Sequence, residues 1–99
     1  MGVLSAAQVE QLWVAEGGPA SQEQVAACVV NAESGGNSAA AHVDSNGTVD
    51  TGLYQVNSVN APSGEMMNPE ANTAEAVHLF DAEGGWLPDW VADTAACGL

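Results

Sequence analysis

The sequence predicts an α+β domain that is mostly helical, with a small β-hairpin beside a buried central helix. Three segments carry apolar residues at helical spacing, and each of them ends at a pair of glycines. One Asn-Gly dipeptide, Asn46-Gly47, separates two short extended runs, which is the strongest local signal for a hairpin. The chain has 99 residues, the length of one small domain, so we expect a single domain over residues 1–99.

The first two helices are predicted from their start and stop signals. The first is expected over residues 5–16, with Ser5 as its N-cap. The second is expected from Ser21, where Gln24 three residues later completes a capping-box pattern, to Ser34. Because this second helix is apolar nearly all round, it is predicted to be the central, buried one.

The second half of the chain alternates extended, helical and irregular segments. The runs "AHVDS" and "TVDTG" are predicted to be the two arms of the hairpin, and "LYQVNS" is expected to begin another helical turn. Residues 62–67 are predicted to form a loop. Asn68-Pro69 has the pattern of an N-cap followed by proline at the first helical position, which starts a third helix ending at Glu83. The final "WLPDWVADTAACGL" predicts a short helix that packs two tryptophans inward.

The charge balance excludes several classes of partner. Thirteen acidic residues face no lysine or arginine, which gives a formal net charge of −13. Nucleic acids and anionic membranes favour positive surfaces, so neither is expected to bind. Repulsion between the carboxylates predicts that salt or mild acid stabilises the fold. The chain has no apolar run long enough for a membrane span and no signal-peptide pattern at its N-terminus, and we expect neither.

The two cysteines, Cys28 and Cys97, lie far apart in the chain. Their number fits two buried thiols or one disulfide that closes a long loop, and the count does not decide between them. Neither has a second cysteine or a histidine at ligand spacing, so no metal site is expected. No motif calls for a cofactor.

Glu33 and Asp50 are the candidate catalytic residues. Glu33 stands where an apolar helix meets a glycine break, so partial desolvation is expected to raise the pKa of its carboxyl and make it a proton donor. Asp50 lies among polar residues on the second hairpin arm and is expected to stay ionised. Such a pair suits the oxocarbenium-like transition state of glycoside cleavage. The alternative interpretation makes both residues solvated surface charges.

The segment from Asn31 to Ser58, "NAESGGNSAAAHVDSNGTVDTGLYQVNS", resembles the active-site segment of c-type lysozymes and their bacterial and phage relatives. In that family a glutamate ends a buried helix, an aspartate follows seventeen positions later, and G-[apolar]-x-Q-[apolar]-N-S comes next. Asp50 follows Glu33 by seventeen positions, and residues 52–58 fit in register. Soluble lytic transglycosylases share part of this pattern but usually add an A-Y-N-x-G motif, which this chain lacks.

The resemblance implies a lysozyme-like fold and a peptidoglycan-cleaving glycosidase. Glu33 would be the general acid, and Asp50 the nucleophile or electrostatic stabiliser. The family has a cysteine five residues before its glutamate, paired with one near the C-terminus, which implies a disulfide between Cys28 and Cys97. A lytic transglycosylase and a non-catalytic saccharide-binding or virion protein are the alternative functions.

The resemblance also implies a set of substrate-binding residues. Gln55 and Asn57 would line the sugar cleft with their amides, and Gly52 would let backbone and substrate approach closely. Tyr54 belongs to the same motif. The tryptophans Trp86 and Trp90 would supply an apolar wall that desolvates the glutamate, or a face on which a sugar stacks; simple core packing is the alternative for both.

The expected partner is the glycan strand of peptidoglycan, and the expected place of action is outside the cell or at a cell wall. The protein is predicted to be a monomer. Two features depart from c-type lysozymes, which are longer and typically basic. The negative charge of this chain predicts weak, salt-dependent attraction to anionic cell walls.

Overall fold

The computed structural model describes residues 3–99 and confirms the predicted α+β fold. The part of the chain it describes contains four α-helices, a three-stranded antiparallel sheet and three short 3-10 helices. The α-helices are α1 (Ala6–Ala15), α2 (Glu23–Ser34), α3 (Pro69–Glu83) and α4 (Thr94–Cys97), the strands are β1 (Ala41–Val43), β2 (Val49–Thr51) and β3 (Val56–Asn57), and the 3-10 helices are Ala20–Gln22, Glu65–Met67 and Val91–Asp93.

Helix α1 begins at a capping box, whereas α2 does not. Ser5 Oγ accepts from the Gln8 backbone N–H at 3.2 Å, and Gln8 Oε1 accepts from the Ser5 N–H at 2.8 Å. The box predicted at Ser21 is wrong, because residues 20–22 form a 3-10 turn and α2 starts after it without a side-chain cap. The turn places Ser21 inside a helical segment rather than at the N-cap position, which Gln22 occupies.

Helix α2 ends where the sequence predicts. Gly35 adopts the left-handed conformation (φ 63°), and its N–H donates to the carbonyls of Val30 and Asn31. The helix buries one side only: Ala26, Val29 and Val30 are buried, and Ala32 is exposed. The prediction of a buried central helix is confirmed, and it is one side of this helix that faces the core.

An aromatic cluster fills the core beside α2. The rings of Trp13 and Trp86 stack with centroids 4.9 Å apart, and Trp90 meets Trp86 edge-on at 5.2 Å. Trp90 Nε1 also donates to the Tyr54 carbonyl at 3.0 Å. The prediction that both C-terminal tryptophans pack inward is confirmed, since they are 6% and 3% exposed.

The sheet has the strand order β1-β2-β3, with His42 opposite Asp50 and Asp50 opposite Asn57. The predicted hairpin at Asn46-Gly47 is confirmed, with Gly47 in the left-handed region at φ 87°. The helical turn expected at "LYQVNS" is wrong: a turn leads directly into β3. Hydrogen bonds to β2 satisfy the backbone there, and this tertiary pairing outweighs the local preference.

The buried side chain of Asn72, on α3, fixes the loop between β2 and β3. Its Nδ2 donates to the carbonyls of Thr51 (2.8 Å) and Met66 (2.9 Å), and its Oδ1 accepts from the Tyr54 N–H (2.9 Å). Gly52 has φ 84°, and a Cβ there would lie 2.2 Å from Asn72 Nδ2. The glycine thus allows a close approach to α3.

A disulfide joins Cys28 on α2 to Cys97 on α4, with the Cα atoms 5.8 Å apart. The pairing implied by the resemblance is confirmed. It fastens the C-terminal segment to the middle of α2, across a sequence separation of 69 residues. Within residues 3–99, no helix is both long enough and apolar enough to cross a membrane.

Candidate active site

A cavity of about 310 Å³ lies between the end of α2, the sheet and the C-terminal segment. Its lining is mixed, with four carboxyls, three amides and four apolar residues: Glu33, Asp44, Asp50, Asp89, Gln55, Asn57, Asn60, Val56, Leu79, Trp90 and Ala92. A larger cavity of about 570 Å³ lies between α1 and the start of α3, but it holds one carboxyl and no pair. Convergent acidic and amide groups, rather than size, make the smaller cavity the candidate site.

Glu33 sits in the last turn of α2 and is half-buried. Burial raises the pKa of its carboxyl from 4.5 to about 8; a hydrogen bond and charge repulsion from Asp93 add to this, and repulsion from Asp50 contributes least. The apolar side chains of Leu79 and Trp90 line the cavity with it. Glu33 is therefore mainly protonated at neutral pH.

Asp50 lies in β2 and has polar neighbours on both sides. Partial burial raises the pKa of its carboxyl, and nearby Asp44 acts in the same direction. A hydrogen bond from Asn57 Nδ2 to Asp50 Oδ1 (2.9 Å) and the charge of His42 oppose the rise. Unlike Glu33, Asp50 thus has groups that stabilise its ionised form.

Asn57 organises the polar side of the cavity. Besides Asp50, its Nδ2 reaches Thr48 Oγ1 at 2.9 Å and Asp44 Oδ2 at 3.2 Å. Its Oδ1 accepts from the Val59 N–H at 3.0 Å. An amide with two hydrogens is fully used by these contacts. Asn57 is therefore placed to orient the aspartates as well as to line the cleft.

Gln55 also lines the cavity, in a left-handed backbone conformation (φ 51°). Its Nε2 donates to the carbonyls of Ala40 and Gly52, both at 3.1 Å. These bonds use the nitrogen and hold the amide in place, which leaves Oε1 as the atom that can accept from a ligand.

Three residues assigned to the substrate surface from the sequence lie elsewhere. Tyr54 is 0% exposed and Trp86 is 6% exposed, both inside the aromatic cluster. Gly52 is buried against Asn72 rather than open to the cavity. The motif residues at 52 and 54 have side-chain positions on the inner face of the loop, so their role here is packing. Trp90 combines both predicted roles, since it is buried and lines the cavity.

The sequence analysis missed two acidic neighbours of the pair. Asp44 accepts from Asn57, and its carboxylate lies 3.7 Å from His42 Nε2. Its register at the end of β1 was the available signal, because the antiparallel partner strand carries Asp50. Asp93 adjoins Glu33 from the C-terminal segment, and no sequence pattern indicated it.

Comparison with known proteins agrees with the fold. A family model described as a lysozyme-like domain matches residues 10–91. No curated protein sequence is significantly similar to this chain. The fold is similar to that of a lysozyme from Litopenaeus vannamei, with a TM-score of 0.73, 18% identity, and coverage of 99% of this chain and 90% of that one. Since the family model spans most of the sequence, this chain belongs to the lysozyme-like domain family, a class of glycosidases and lytic transglycosylases.

Proposed function

We propose that this protein hydrolyses the β-1,4 bond between N-acetylmuramic acid and N-acetylglucosamine in peptidoglycan. One observation supports this above the others: a half-buried carboxyl with a pKa near 8, Glu33, shares a sugar-sized cavity with Asp50, whose ionised form accepts a hydrogen bond. A proton donor and an anion in one cavity match the needs of glycoside cleavage.

In the proposed reaction Glu33 gives its proton to the glycosidic oxygen as the bond to the sugar breaks. Asp50 stabilises or traps the positive charge that develops on the sugar ring. Asn57 holds Asp50 in place through its 2.9 Å hydrogen bond. Water then attacks the sugar and returns a proton to Glu33. The reaction needs no group beyond the chain, the saccharide and water.

The remaining lining suits an N-acetylated sugar. Gln55 and Asn60 offer amides that hydrogen-bond to hydroxyl and acetamido groups. Trp90 and Leu79 exclude water on the side of the proton donor. A protein with this substrate acts at a cell wall, and we propose that as its place of action.

Transglycosylation is the second candidate. There a hydroxyl of the cleaved sugar replaces water, and one proton donor carries out both steps. The raised pKa of Glu33 favours this reaction equally, because a group near 8 can both give and take a proton near neutral pH.

The test is product analysis after incubation of the protein with purified peptidoglycan. We expect reducing muropeptides; anhydro products, lighter by one water, would assign transglycosylation. Glu33→Gln should abolish either product while the circular dichroism spectrum is kept. The matched control is Glu65→Gln, at an exposed position outside the cavity, which should leave the products unchanged. Cleavage that survives Glu33→Gln would contradict the proposal.

A further inference from the structure

Asp93 lies beside Glu33 but outside the cavity, and the proposed reaction does not use it. Its residue is only 5% exposed, and its Oδ2 has no hydrogen-bond partner within residues 3–99. A buried carboxylate oxygen without a donor is unfavourable, and buried polar groups are normally satisfied. The burial of this carboxyl therefore needs a compensating interaction.

Helix capping does not supply that interaction. Asp93 is the N-cap residue of α4, where an aspartate commonly accepts a hydrogen bond from a backbone N–H of the first turn. Here the side chain makes no such bond. It lies within hydrogen-bonding contact of the Glu33 carboxyl.

The disulfide fixes this contact. Glu33 follows Cys28 by five residues on α2, and Asp93 precedes Cys97 by four residues. The bond between the two cysteines holds their Cα atoms 5.8 Å apart, so the elements that carry the two acids are covalently tied. The two carboxyls therefore stay together even though their charges would repel.

No lysine or arginine is available to neutralise the pair. The titratable groups that face Glu33 are Asp93 from the 3-10 helix and Asp50 from β2, and both are acidic. Asp44 and Asp89 line the same cavity. The sequence has no lysine or arginine at all, and the nearby His42 belongs to the sheet, where it pairs with Asp44.

We propose that Asp93 is a positioning residue for Glu33: in the free protein Asp93 accepts a hydrogen bond from the protonated Glu33 carboxyl and so helps Glu33 to keep its proton. A proton on Glu33 supplies the donor that neither carboxylate has. The inference deepens the proposed function, on which its catalytic meaning rests. The inference rests on the burial of Asp93 and on the absence of a capping hydrogen bond from its side chain to α4. The raised pKa of Glu33 agrees with it.

This contact has a consequence for each half of the reaction. When Glu33 passes its proton to the glycosidic oxygen, that oxygen keeps the electron pair of the broken bond, and two carboxylates are left in contact. Their repulsion favours the return of a proton to Glu33 from the attacking water, or from the sugar hydroxyl in transglycosylation. Asp93 thus resets the donor after each cleavage.

The experiment is a ¹³C NMR titration of the Glu33 side-chain carboxyl, assigned with Glu33→Gln. In Asp93→Asn we expect its pKa to fall by about one unit or more, the usual size of a neighbouring-charge effect. Asp93→Leu should lower it less, because an asparagine amide can donate to the Glu33 carboxylate and a leucine cannot. The control Asp81→Asn removes the same charge at an exposed position of α3 and should leave the value unchanged.

An unchanged Glu33 titration in Asp93→Asn and Asp93→Leu would overturn the inference, as would an equal fall in Asp81→Asn. If circular dichroism shows that Asp93→Asn does not fold, Asp93→Leu alone decides, since it fills the site without charge. The alkaline limb of the activity profile should move with the NMR value. Titration does not require activity, so a shifted pKa in a protein that cleaves no peptidoglycan would refute the proposed function and leave the role of Asp93 beside Glu33 intact.

Discussion

The two sides of the cavity place their carboxyls in different surroundings. The helical side, formed by Glu33, Leu79 and Trp90, is apolar. A second acid, Asp93, adjoins Glu33 from outside the cavity. The sheet side, formed by Asp44, Asp50 and Asn57, surrounds its acids with donors. Both sides bury a carboxyl partly, yet only the sheet side stabilises the charge. Burial is the largest cause of the raised pKa at both Glu33 and Asp50, and a hydrogen bond from Asn57 opposes the rise only at Asp50.

The two sides also differ in how they are held together. The helical side depends on packing around the aromatic cluster and on the disulfide between Cys28 and Cys97. The sheet side consists of strands of two or three residues, kept in place by ladder hydrogen bonds and by Asn72. We therefore expect a change on one side to leave the other side largely intact.

The largest expected effect comes from replacing both cysteines by serine. A disulfide that closes a loop of this length stabilises a fold by on the order of 4 kcal/mol. At roughly 4–8 °C per kcal/mol for a domain of this size, the melting temperature should fall by roughly 15–30 °C. Thermal unfolding followed by circular dichroism measures it. An unchanged melting temperature would show that packing alone holds the helical side.

Asp50→Asn tests the anion of the sheet side. Loss of one fixed electrostatic group at a developing charge typically lowers the rate by about 10²–10³-fold. We expect a loss of that size in muropeptide release if water is the acceptor, with the fold retained because the Asn57 contact involves only one oxygen. Full activity together with anhydro products would instead assign the reaction to Glu33 alone.

Asn57→Ala tests the donor that keeps Asp50 ionised. Its hydrogen bond lowers the pKa of Asp50, so its loss should raise that pKa and move the acid limb of the activity profile to higher pH. A move of about one unit reduces activity in the acid range about tenfold. The control is Asn31→Ala, at an exposed position of α2. The same displacement in both variants would remove Asn57 from this role.

The smallest expected effect is on stability as a function of pH. The pKa of Glu33 is about 8 in the folded protein and ordinarily 4.5, so the folded state binds its proton more tightly. This contribution is fully present below about pH 4.5 and is lost as the pH rises through 8. The shifts at Asp50 and Glu83 have the same sign.

We therefore expect the melting temperature to be higher at pH 5 than at pH 9, by on the order of 5 °C. Screening by solvent limits the effect, because Glu33 is only half-buried. Glu33→Gln has no proton to lose and should show a smaller difference. A melting temperature that falls toward pH 5 in the wild type would contradict the sign of these shifts.

The sequence was informative wherever a local signal agreed with the tertiary structure. Paired glycines end α2 and α3, and Asn46-Gly47 forms the hairpin turn, because glycine adopts the positive φ angles at these points without a steric cost. Local patterns were misleading where the backbone made other hydrogen bonds. At Ser21 a local 3-10 turn replaced the predicted capping box, and at "LYQVNS" strand pairing with β2 replaced the predicted helical turn.

The candidate site also has residues that the sequence identified and features that it did not reveal. Spacing and residue type pointed to Glu33, Asp50, Gln55 and Asn57, and these line one cavity. The same motif did not reveal that Tyr54 and Gly52 face inward, since a tight turn with φ 51° at Gln55 breaks the simple alternation of side chains. The sequence did not indicate Asp93 for a different reason: Glu33, its neighbour in the fold, lies sixty residues earlier in the chain.

The sequence by itself determined which carboxyls are present, that no lysine or arginine can neutralise them, and where the helices and the hairpin end. Only the tertiary structure decided how each carboxyl is solvated and what stands next to it. The physical reason is that a pKa depends on burial and on charges a few ångströms away, and folding alone brings Asp93 to Glu33 and Asn57 to Asp50.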